Sequence, residues 1–268
     1  MKNSKDLAKC VVYDFNGTLA PDFKEQAMQY YRTRLEDVLE PLTQARDLEL
    51  ENDLQNAGFI ASERSKIGVK LAAIVLECVA RPKRGTKARE VYYDLVEIAL
   101  EKRLIDAKAL PDALDSKNLL NKEKKEGWRI VALSLGTQSL LDKYLAASGL
   151  DAAVERIYST IEFGGEKTKK AYIGCIERLA ADGFDAKRFY EDEFDNVKQM
   201  FAAGLELSDE HGYPFEIIWV DRNGELAAKK KELQTLRAEY DSKGFKQGFD
   251  SVFKVTKNLV SEPASAGK

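Results

Sequence analysis

The stretch that decides the fold is Cys10-Val11-Val12-Tyr13-Asp14-Phe15-Asn16-Gly17-Thr18-Leu19. The short apolar run Cys10–Tyr13 predicts a buried β-strand, and Asp14 follows directly at its carboxyl end. Ligands bind at that edge in open α/β sheets. Gly17 permits a tight turn there, and the Thr18 hydroxyl can hold the loop or a phosphate oxygen. A carboxylate in this place can act as a covalent nucleophile, so the stretch predicts an α/β fold with a reactive Asp14.

Other apolar runs later in the chain have the same character, each with turn residues around it and helix-period sequence between them. They are Arg129–Leu133, Arg156–Tyr158, Arg188–Tyr190, Phe215–Val220 and a weaker candidate at Ser251–Phe253. Strands that alternate with helices are typical of a mostly parallel sheet with helices on both faces. The sequence therefore predicts a doubly wound, Rossmann-like α/β core.

The pattern changes between Pro21 and Pro111, where long amphipathic stretches such as Ile67–Ala80 and Val91–Leu104 repeat apolar residues at three and four positions. That spacing predicts helices. We therefore expect a core formed by residues 1–20 and 112–268, with an all-helical cap of residues 21–111 inserted after the first strand. An insertion there can lie as a lid over the strand ends.

Composition and charge exclude several classes of protein. The 42 basic and 45 acidic residues are interspersed and give a formal net charge of −3, so no basic stripe for nucleic acid is expected. No apolar run reaches membrane-spanning length and the first ten residues hold no apolar signal region, which predicts a cytoplasmic protein. Cys10, Cys78 and Cys175 lack metal-ligand spacing and are expected to be reduced core residues. The single histidine, His211, excludes a histidine-rich metal site; the oligomeric state is not predicted.

The second predicted strand also ends in polar and small residues. Val131-Ala132-Leu133-Ser134-Leu135-Gly136-Thr137 is an apolar run that ends at Ser134. Taken alone, a serine in this place more often has a structural role than a ligand-binding one.

Two further segments supply a cation and paired acids. Gly164–Tyr172 contains Lys167, with Lys169 and Lys170 as alternatives, and it is not a P-loop because glutamate precedes Lys-Thr. Phe189-Tyr190-Glu191-Asp192 is an apolar strand that ends in two carboxylates. Carboxylate oxygens are the ligands that Mg²⁺ prefers.

In this order, the four segments resemble the signature motifs of the haloacid dehalogenase superfamily, the first of which is Asp-x-Asp-x-Thr at the end of a strand. The resemblance extends over nearly the whole predicted core, and Ile217–Gly224 is similar to the strand and turn that follow the fourth motif. It implies that Asp14 is the nucleophile and that Lys167 neutralises nucleophile and phosphate. The implied phosphate-binding groups are Ser134, Leu135, Gly136 and Thr18. The implied Mg²⁺ ligands are Asp14, the backbone carbonyl of Asn16, Asp192 and, directly or through water, Glu191, with Asn196 or Asp195 supporting them.

The sequence departs from the family pattern at Asn16. In the superfamily's phosphatases the second Asp of the first motif is the general acid and base, and asparagine cannot transfer that proton. The resemblance therefore implies a Mg²⁺-dependent hydrolase, either a slow or specialised phosphatase on a small phosphorylated metabolite, or an enzyme for leaving groups that need little protonation. Acyl phosphates, phosphoanhydrides and phosphonates have such leaving groups.

Three alternatives stay open at the level of sequence. A phosphonatase of the phosphonoacetaldehyde type needs a Schiff-base lysine in the insertion, for which Lys24 and Lys66 are candidates. A dehalogenase needs no metal, which leaves the acidic pair Glu191-Asp192 without a role. A phosphate-binding protein that has lost its acid is the rival outside enzymes.

Overall fold

The computed structural model describes residues 7–21, 26–27, 29–30, 96–97, 99–108, 110, 119–164, 166–259 and 264–265. The chain divides into two compact units. The first comprises Met1–Pro21 and Lys108–Lys268, and the second comprises Asp22–Ala107.

The first unit alternates strands and helices along the chain. Its strands are β1 (Ala8–Asp14), β2 (Arg129–Ser134), β3 (Arg156–Ser159), β4 (Phe184–Glu191), β5 (Glu216–Val220), β6 (Phe253–Thr256) and β7 (Ala264–Ser265). Its helices are α1 (Leu119–Lys125), α2 (Gln138–Ser148), α3 (Lys169–Asp182), α4 (Phe194–Leu207), α5 (Leu226–Ser242) and α6 (Phe249–Val252), with a 3₁₀ turn at Thr160–Phe163.

The strands form one sheet in the order β3-β2-β1-β4-β5-β6-β7. Neighbours are parallel from β3 to β6, and β7 pairs antiparallel with β6. The predicted doubly wound α/β fold is thus confirmed. From β1 the chain runs outward through β2 to β3, and then returns to β4 on the other side of β1. The carboxyl ends of β1 and β4 are therefore a switch point, the place where open α/β sheets bind ligands.

Each predicted strand up to β5 overlaps an observed one, but the last prediction is displaced. Ser251–Phe253 was expected to be a strand, whereas Phe249–Val252 is helical and β6 starts at Phe253. Both the backbone N–H and the hydroxyl of Ser251 donate to the carbonyl of Gly248, at 2.9 and 2.6 Å. These bonds close a helical turn before the strand can begin.

The main hydrophobic core lies between one face of the sheet and α3, α4 and α5. It contains Val12, Phe189, Trp219 and Phe253, all at most 1% exposed, and it extends through an aromatic cluster around Tyr240. Side chains alternate across a strand, so Asp14 and Glu191, two residues beyond Val12 and Phe189, project on this same face. The fold thus places the acids at the carboxyl end of its apolar face.

The other face of the sheet carries a charged network that we call the Glu123 ladder. Glu123 of α1 accepts hydrogen bonds from Tyr13 Oη (2.6 Å) and Arg188 Nη1 (3.0 Å). Arg188 Nε also donates to Glu216 (2.6 Å), which pairs with Lys254 (2.5 Å). The lysine- and glutamate-rich segment 121–127 was interpreted as a solvated helix end and turn, and this is wrong for Glu123. Its side chain is 1% exposed because it turns inward to the Tyr13 hydroxyl.

In the second unit, the helical positions among the described residues are 26–27, 29–30, 96–97 and 99–101. Ala27, Val96 and Ala99 are fully buried. The predicted helix at Ile67–Ala80 and most of Val91–Leu104 before residue 96 lie outside the described residues, as does Cys78. Within the described part of the chain, no helix combines the length and the apolarity that crossing a bilayer requires.

Candidate active site

Asp14 is the last residue of β1 and its side chain is 7% exposed. Its Oδ1 accepts the backbone N–H of Phe15 at 2.6 Å. Gly17 has a φ of +80°, which favours glycine, and its N–H donates to the carbonyl of Ala20 at 2.7 Å. This tight turn, residues 15–20, fixes the direction in which Asp14 leaves the strand. We call it the nucleophile loop because it follows Asp14, the predicted nucleophile.

One backbone carbonyl of the nucleophile loop differs from the others in its hydrogen bonding. The Phe15 carbonyl accepts the N–H groups of Leu19 and Ala20, and the Ala20 carbonyl accepts that of Gly17. Arg222 donates to the carbonyls of Gly17 and Thr18. The Leu110 N–H donates to the Leu19 carbonyl. The Asn16 carbonyl accepts none from the residues that the structure describes. Backbone carbonyls are nearly always satisfied by a partner or by solvent, so this oxygen is free to bind a ligand.

Lys167 is the lysine that lies beside Asp14. Its Nζ is 2.6 Å from Asp14 Oδ2 and 2.8 Å from Glu191 Oε2. Burial opposes its charge, but the two carboxylates outweigh burial and hold the pKa of the ammonium above its ordinary range. The alternatives lie elsewhere: Lys169 pairs with the exposed Glu206, and Lys170 is exposed.

Glu191 is buried and surrounded by donors. Its Oε2 accepts from Lys167 and from the Tyr172 hydroxyl (3.0 Å), and its Oε1 from the N–H of Glu193 (3.2 Å) and from Asn196 Nδ2 (3.3 Å). Burial raises its pKa, but Lys167 and these donors outweigh burial and keep it low. Glu191 is therefore a fully engaged carboxylate that holds Lys167 in place.

Asp192 faces the nucleophile loop from the end of β4. Its Oδ1 accepts the Thr18 hydroxyl at 3.1 Å, so that hydroxyl holds the loop. A Cβ on Gly17 would lie 2.0 Å from Asp192 Oδ2, so only glycine fits here. Burial and, after it, the nearby Glu191 together raise the pKa of Asp192 to about 6, against the opposing Lys167 and the Thr18 hydroxyl.

Ser134 and Asn16 form a buried polar pair. Asn16 Nδ2 donates to Ser134 Oγ at 2.9 Å, and Ser134 is fully buried at the end of β2. The serine accepts this bond, so its own hydroxyl proton remains available to a ligand. Asn16 Oδ1 is buried and has no hydrogen-bond partner in the part of the chain that the structure describes. Leu135 and Gly136 continue from Ser134, and the Gly136 carbonyl is occupied by the Ser159 hydroxyl at 2.5 Å.

The site carries an excess of negative charge. Asp14, Glu191 and Asp192 each offer one oxygen within 4.8 Å of the others, and Lys167 is the one cation described in contact with them. Burial and the neighbouring Glu191 raise the pKa of Asp14 well above its ordinary value. Among the described residues, this group of three carboxylates around one ammonium could hold a metal ion.

Two residues that sequence reasoning missed support this arrangement. Arg222, in the turn after β5, donates to the carbonyls of Gly17 (2.9 Å) and Thr18 (3.0 Å). Trp219 Nε1 donates to the carbonyl of Asp192 at 3.0 Å. Both lie in the segment Ile217–Gly224, but nothing in its composition indicated which backbone atoms they would reach.

The sequence matches no protein-family profile and no curated protein. Among solved structures it is similar to the UTR4 protein of Saccharomyces cerevisiae (15% identity, 79% of this chain and 90% of that chain, TM-score 0.49). It is also similar to L-2-haloacid dehalogenase of Xanthobacter autotrophicus with chloropropionic acid covalently bound (15% identity, 95% of this chain and 96% of that chain, TM-score 0.48). A third similar structure is that of the putative HAD-hydrolase YfnB of Bacillus subtilis bound to magnesium (15% identity, 81% of this chain and 90% of that chain, TM-score 0.47).

Proposed function

We propose that this protein is a magnesium-dependent hydrolase of the haloacid dehalogenase superfamily, which transfers a phosphoryl group from a small metabolite to Asp14 and then to water. The observation that carries the proposal is the meeting of Asp14, Ser134, Lys167 and Asp192 at one edge of the sheet. These residues are far apart in the chain. Asp14 and Ser134 end β1 and β2, Asp192 follows β4, and Lys167 lies just before α3. Isolated turn or surface residues would have no reason to converge.

The residues fit the cation that such chemistry needs. Asp14, Asp192 and the carbonyl of Asn16, which has no donor among the described residues, would hold Mg²⁺, while Glu191 is occupied by protein donors and would act through water. When bound, the ion would offset the negative charge of the phosphoryl oxygens. All three protein ligands are oxygens, as Mg²⁺ requires.

The chain's own residues would then perform the transfer. Lys167 touches Asp14 Oδ2 and would draw the phosphoryl oxygens toward the nucleophile, since electrostatic stabilisation is the main catalytic task in such transfers. Ser134 would donate its free hydroxyl proton, and the N–H groups of Leu135 and Gly136 would bind phosphoryl oxygens. Asp14 would attack phosphorus in line, and water would later release phosphate from the aspartyl-phosphate.

Asn16 restricts the leaving group. Its amide nitrogen is bound to Ser134, and an amide supplies no proton to a departing alkoxide. A missing general acid costs on the order of a hundredfold in rate or more. We therefore infer that the substrates are compounds whose leaving group departs as a stable anion. Acyl phosphates and phosphoanhydrides are such compounds.

The direct test compares acetyl phosphate with phosphomonoesters, with Mg²⁺ and with chelator. We expect acetyl phosphate hydrolysis that requires Mg²⁺ and that falls at least about a thousandfold in Asp14→Asn, because the covalent route is lost. Asp151→Asn, in an exposed turn, is the matched control and should retain full activity. Equal rates in the wild type and Asp14→Asn would contradict the proposal.

The role of Asn16 has its own test. Asn16→Asp should raise kcat on p-nitrophenyl phosphate and simple sugar phosphates by roughly tenfold to a hundredfold, because it restores a proton donor. Hydrolysis of acetyl phosphate should change much less. No gain on phosphomonoesters, in a variant that still binds Mg²⁺ by calorimetry, would contradict this explanation.

The other candidates are separated by the same assays. Phosphate binding without any turnover or burst would favour a binding protein. Release of halide from 2-chloropropionate without Mg²⁺ would favour a dehalogenase. The Schiff-base candidates of a phosphonatase, Lys24 and Lys66, lie outside the described residues, and borohydride trapping with the aldehyde would test them.

A further inference from the structure

The guanidinium of Arg222 forms a clamp on the nucleophile loop. Its Nε and Nη2 donate to two consecutive carbonyls, those of Gly17 and Thr18, at 2.9 and 3.0 Å. Hydrogen bonds from a charged donor are roughly twice as strong as neutral ones, and the planar fork of arginine fixes both acceptors at once. Arg222 therefore restrains the loop at two adjacent peptide groups directly after Asn16.

The same segment also holds the opposite side of the site. Trp219, on β5, donates its indole N–H to the carbonyl of Asp192, while Asp192 accepts the Thr18 hydroxyl. The end of β5 and the turn after it thus contact both the loop that follows Asp14 and the residue that faces it. The spacing between Asp14 and Asp192 depends on these bonds.

The turn that carries Arg222 is itself anchored. The Asp221 carboxylate accepts the N–H groups of Glu225 (2.6 Å) and Leu226 (3.0 Å) at the start of α5, and the Asp221 N–H donates to Thr256 at 2.7 Å. Asp221 is 6% exposed. Arg222 therefore extends from a fixed support, which is what a clamp requires if it is to position another loop.

We infer that Arg222 is a positioning residue, which holds the Asn16 carbonyl and the Asp14 carboxylate at the separation from Asp192 that cation binding and attack require. This inference rests on the proposed function. Arg222 acts through the backbone carbonyls of Gly17 and Thr18 and does not touch the substrate.

The experiment compares Arg222→Gln, Arg222→Lys and the matched control Arg237→Gln. Arg237 pairs with Asp250 and contacts Phe249 on α6, away from the loop. We expect Arg222→Gln to bind Mg²⁺ about tenfold to a hundredfold more weakly by calorimetry, as is typical when a group that orients ligands is lost. At saturating Mg²⁺, kcat should fall by up to about a hundredfold because Asp14 is then misplaced for attack. KM should change little. Arg222→Lys, with one donor in place of the fork, should lie between.

Chemical rescue separates positioning from folding. In Arg222→Ala, guanidinium well below denaturing concentrations should restore part of the Mg²⁺ affinity and of kcat, whereas sodium chloride at equal ionic strength should not. Unchanged Mg²⁺ affinity and kcat in folded Arg222→Gln would overturn the inference, and so would equal losses in Arg237→Gln. If the wild type binds Mg²⁺ but hydrolyses no phosphate compound, the proposed function fails, while the calorimetric comparison still decides the role of Arg222.

Discussion

The charge networks on the two faces of the sheet differ in their balance. The Glu123 ladder pairs two acids, Glu123 and Glu216, with two bases, Arg188 and Lys254. The site at the other face gathers Asp14, Glu191 and Asp192 around Lys167, the one cation described in contact with them. Counted by formal charge over the described residues, the ladder is neutral and the site carries two surplus negative charges.

This difference separates a structural network from a functional one. Buried ions are tolerated when each has a partner, because removing charge from water is costly. The ladder meets that condition without any other component. The site meets it only when a cation is added, and perturbed carboxylates of this kind are concentrated at functional sites.

The largest expected difference between the networks follows from removal of one lysine in each. Lys167→Gln should lower the free energy of unfolding at pH 8 by about 3 kcal/mol, because it leaves the buried carboxylates of Asp14 and Glu191 without their ammonium partner. Lys254→Gln should cost at most about 1 kcal/mol, because its partner Glu216 keeps Arg188 and is partly exposed. Urea denaturation with chelator present measures both. Equal losses would contradict the distinction between the networks.

Added Mg²⁺ should act on only one of the networks. At a hundred times its Kd, a ligand that binds only the folded state stabilises by about 2.7 kcal/mol, so the Tm of the wild type should rise. Asp192→Asn should abolish the rise. Asp151→Asn, in an exposed turn, should retain it; a rise in all three proteins would show that the cation binds elsewhere.

The smallest expected effect concerns the pH dependence of the ladder. Burial raises the pKa of Glu123 to about 7, against the opposing Tyr13 hydroxyl and Arg188. A carboxyl with a raised pKa binds its proton more tightly in the folded state. Its stabilising contribution is therefore complete below about pH 4.5 and is lost as the pH rises through 7, at up to about 1.4 kcal/mol per unit.

Glu123→Gln should flatten this slope of unfolding free energy between pH 5 and 7, since glutamine does not titrate. Glu239→Gln, at an exposed position of α5, is the matched control and should leave the slope as in the wild type. Chelator in every sample removes the contribution of metal binding. An unchanged slope in Glu123→Gln would mean that this carboxyl stays ionised throughout.

The sequence predicted the fold and the central residues of the candidate site because their signals are local. A short apolar run followed by Asp14 or by Glu191-Asp192 indicates both a strand and its polar end, and parallel strands bring such ends to one edge. The family resemblance, and no local signal, favoured Lys167 over Lys169 and Lys170, and Lys167 is the one that lies at Asp14. The catalytic and metal-binding roles of these residues remain proposals.

The features that sequence missed depend on long-range partners. Glu123 sits in a run of lysine and glutamate that is typical of a solvated helix end, and only Tyr13, 110 residues away in sequence, explains its burial. Arg222 reaches carbonyls 204 and 205 residues away, and a backbone acceptor leaves no trace in residue type. Thr18 was predicted to hold either the loop or a phosphate oxygen; its hydroxyl donates to Asp192, and phosphate binding by Thr18 stays a prediction.

The hydrogen bond from the Leu110 N–H to the Leu19 carbonyl, at 2.9 Å, has a consequence for how this chain can evolve. It closes the core across the point where the second unit departs and returns, so both ends of that unit are fixed by the core itself. Loop-closure entropy grows only with the logarithm of loop length, about 0.6 kcal/mol for each doubling. The inserted segment can therefore be lengthened, shortened or exchanged at little thermodynamic cost while this hydrogen bond keeps the two ends of the core together.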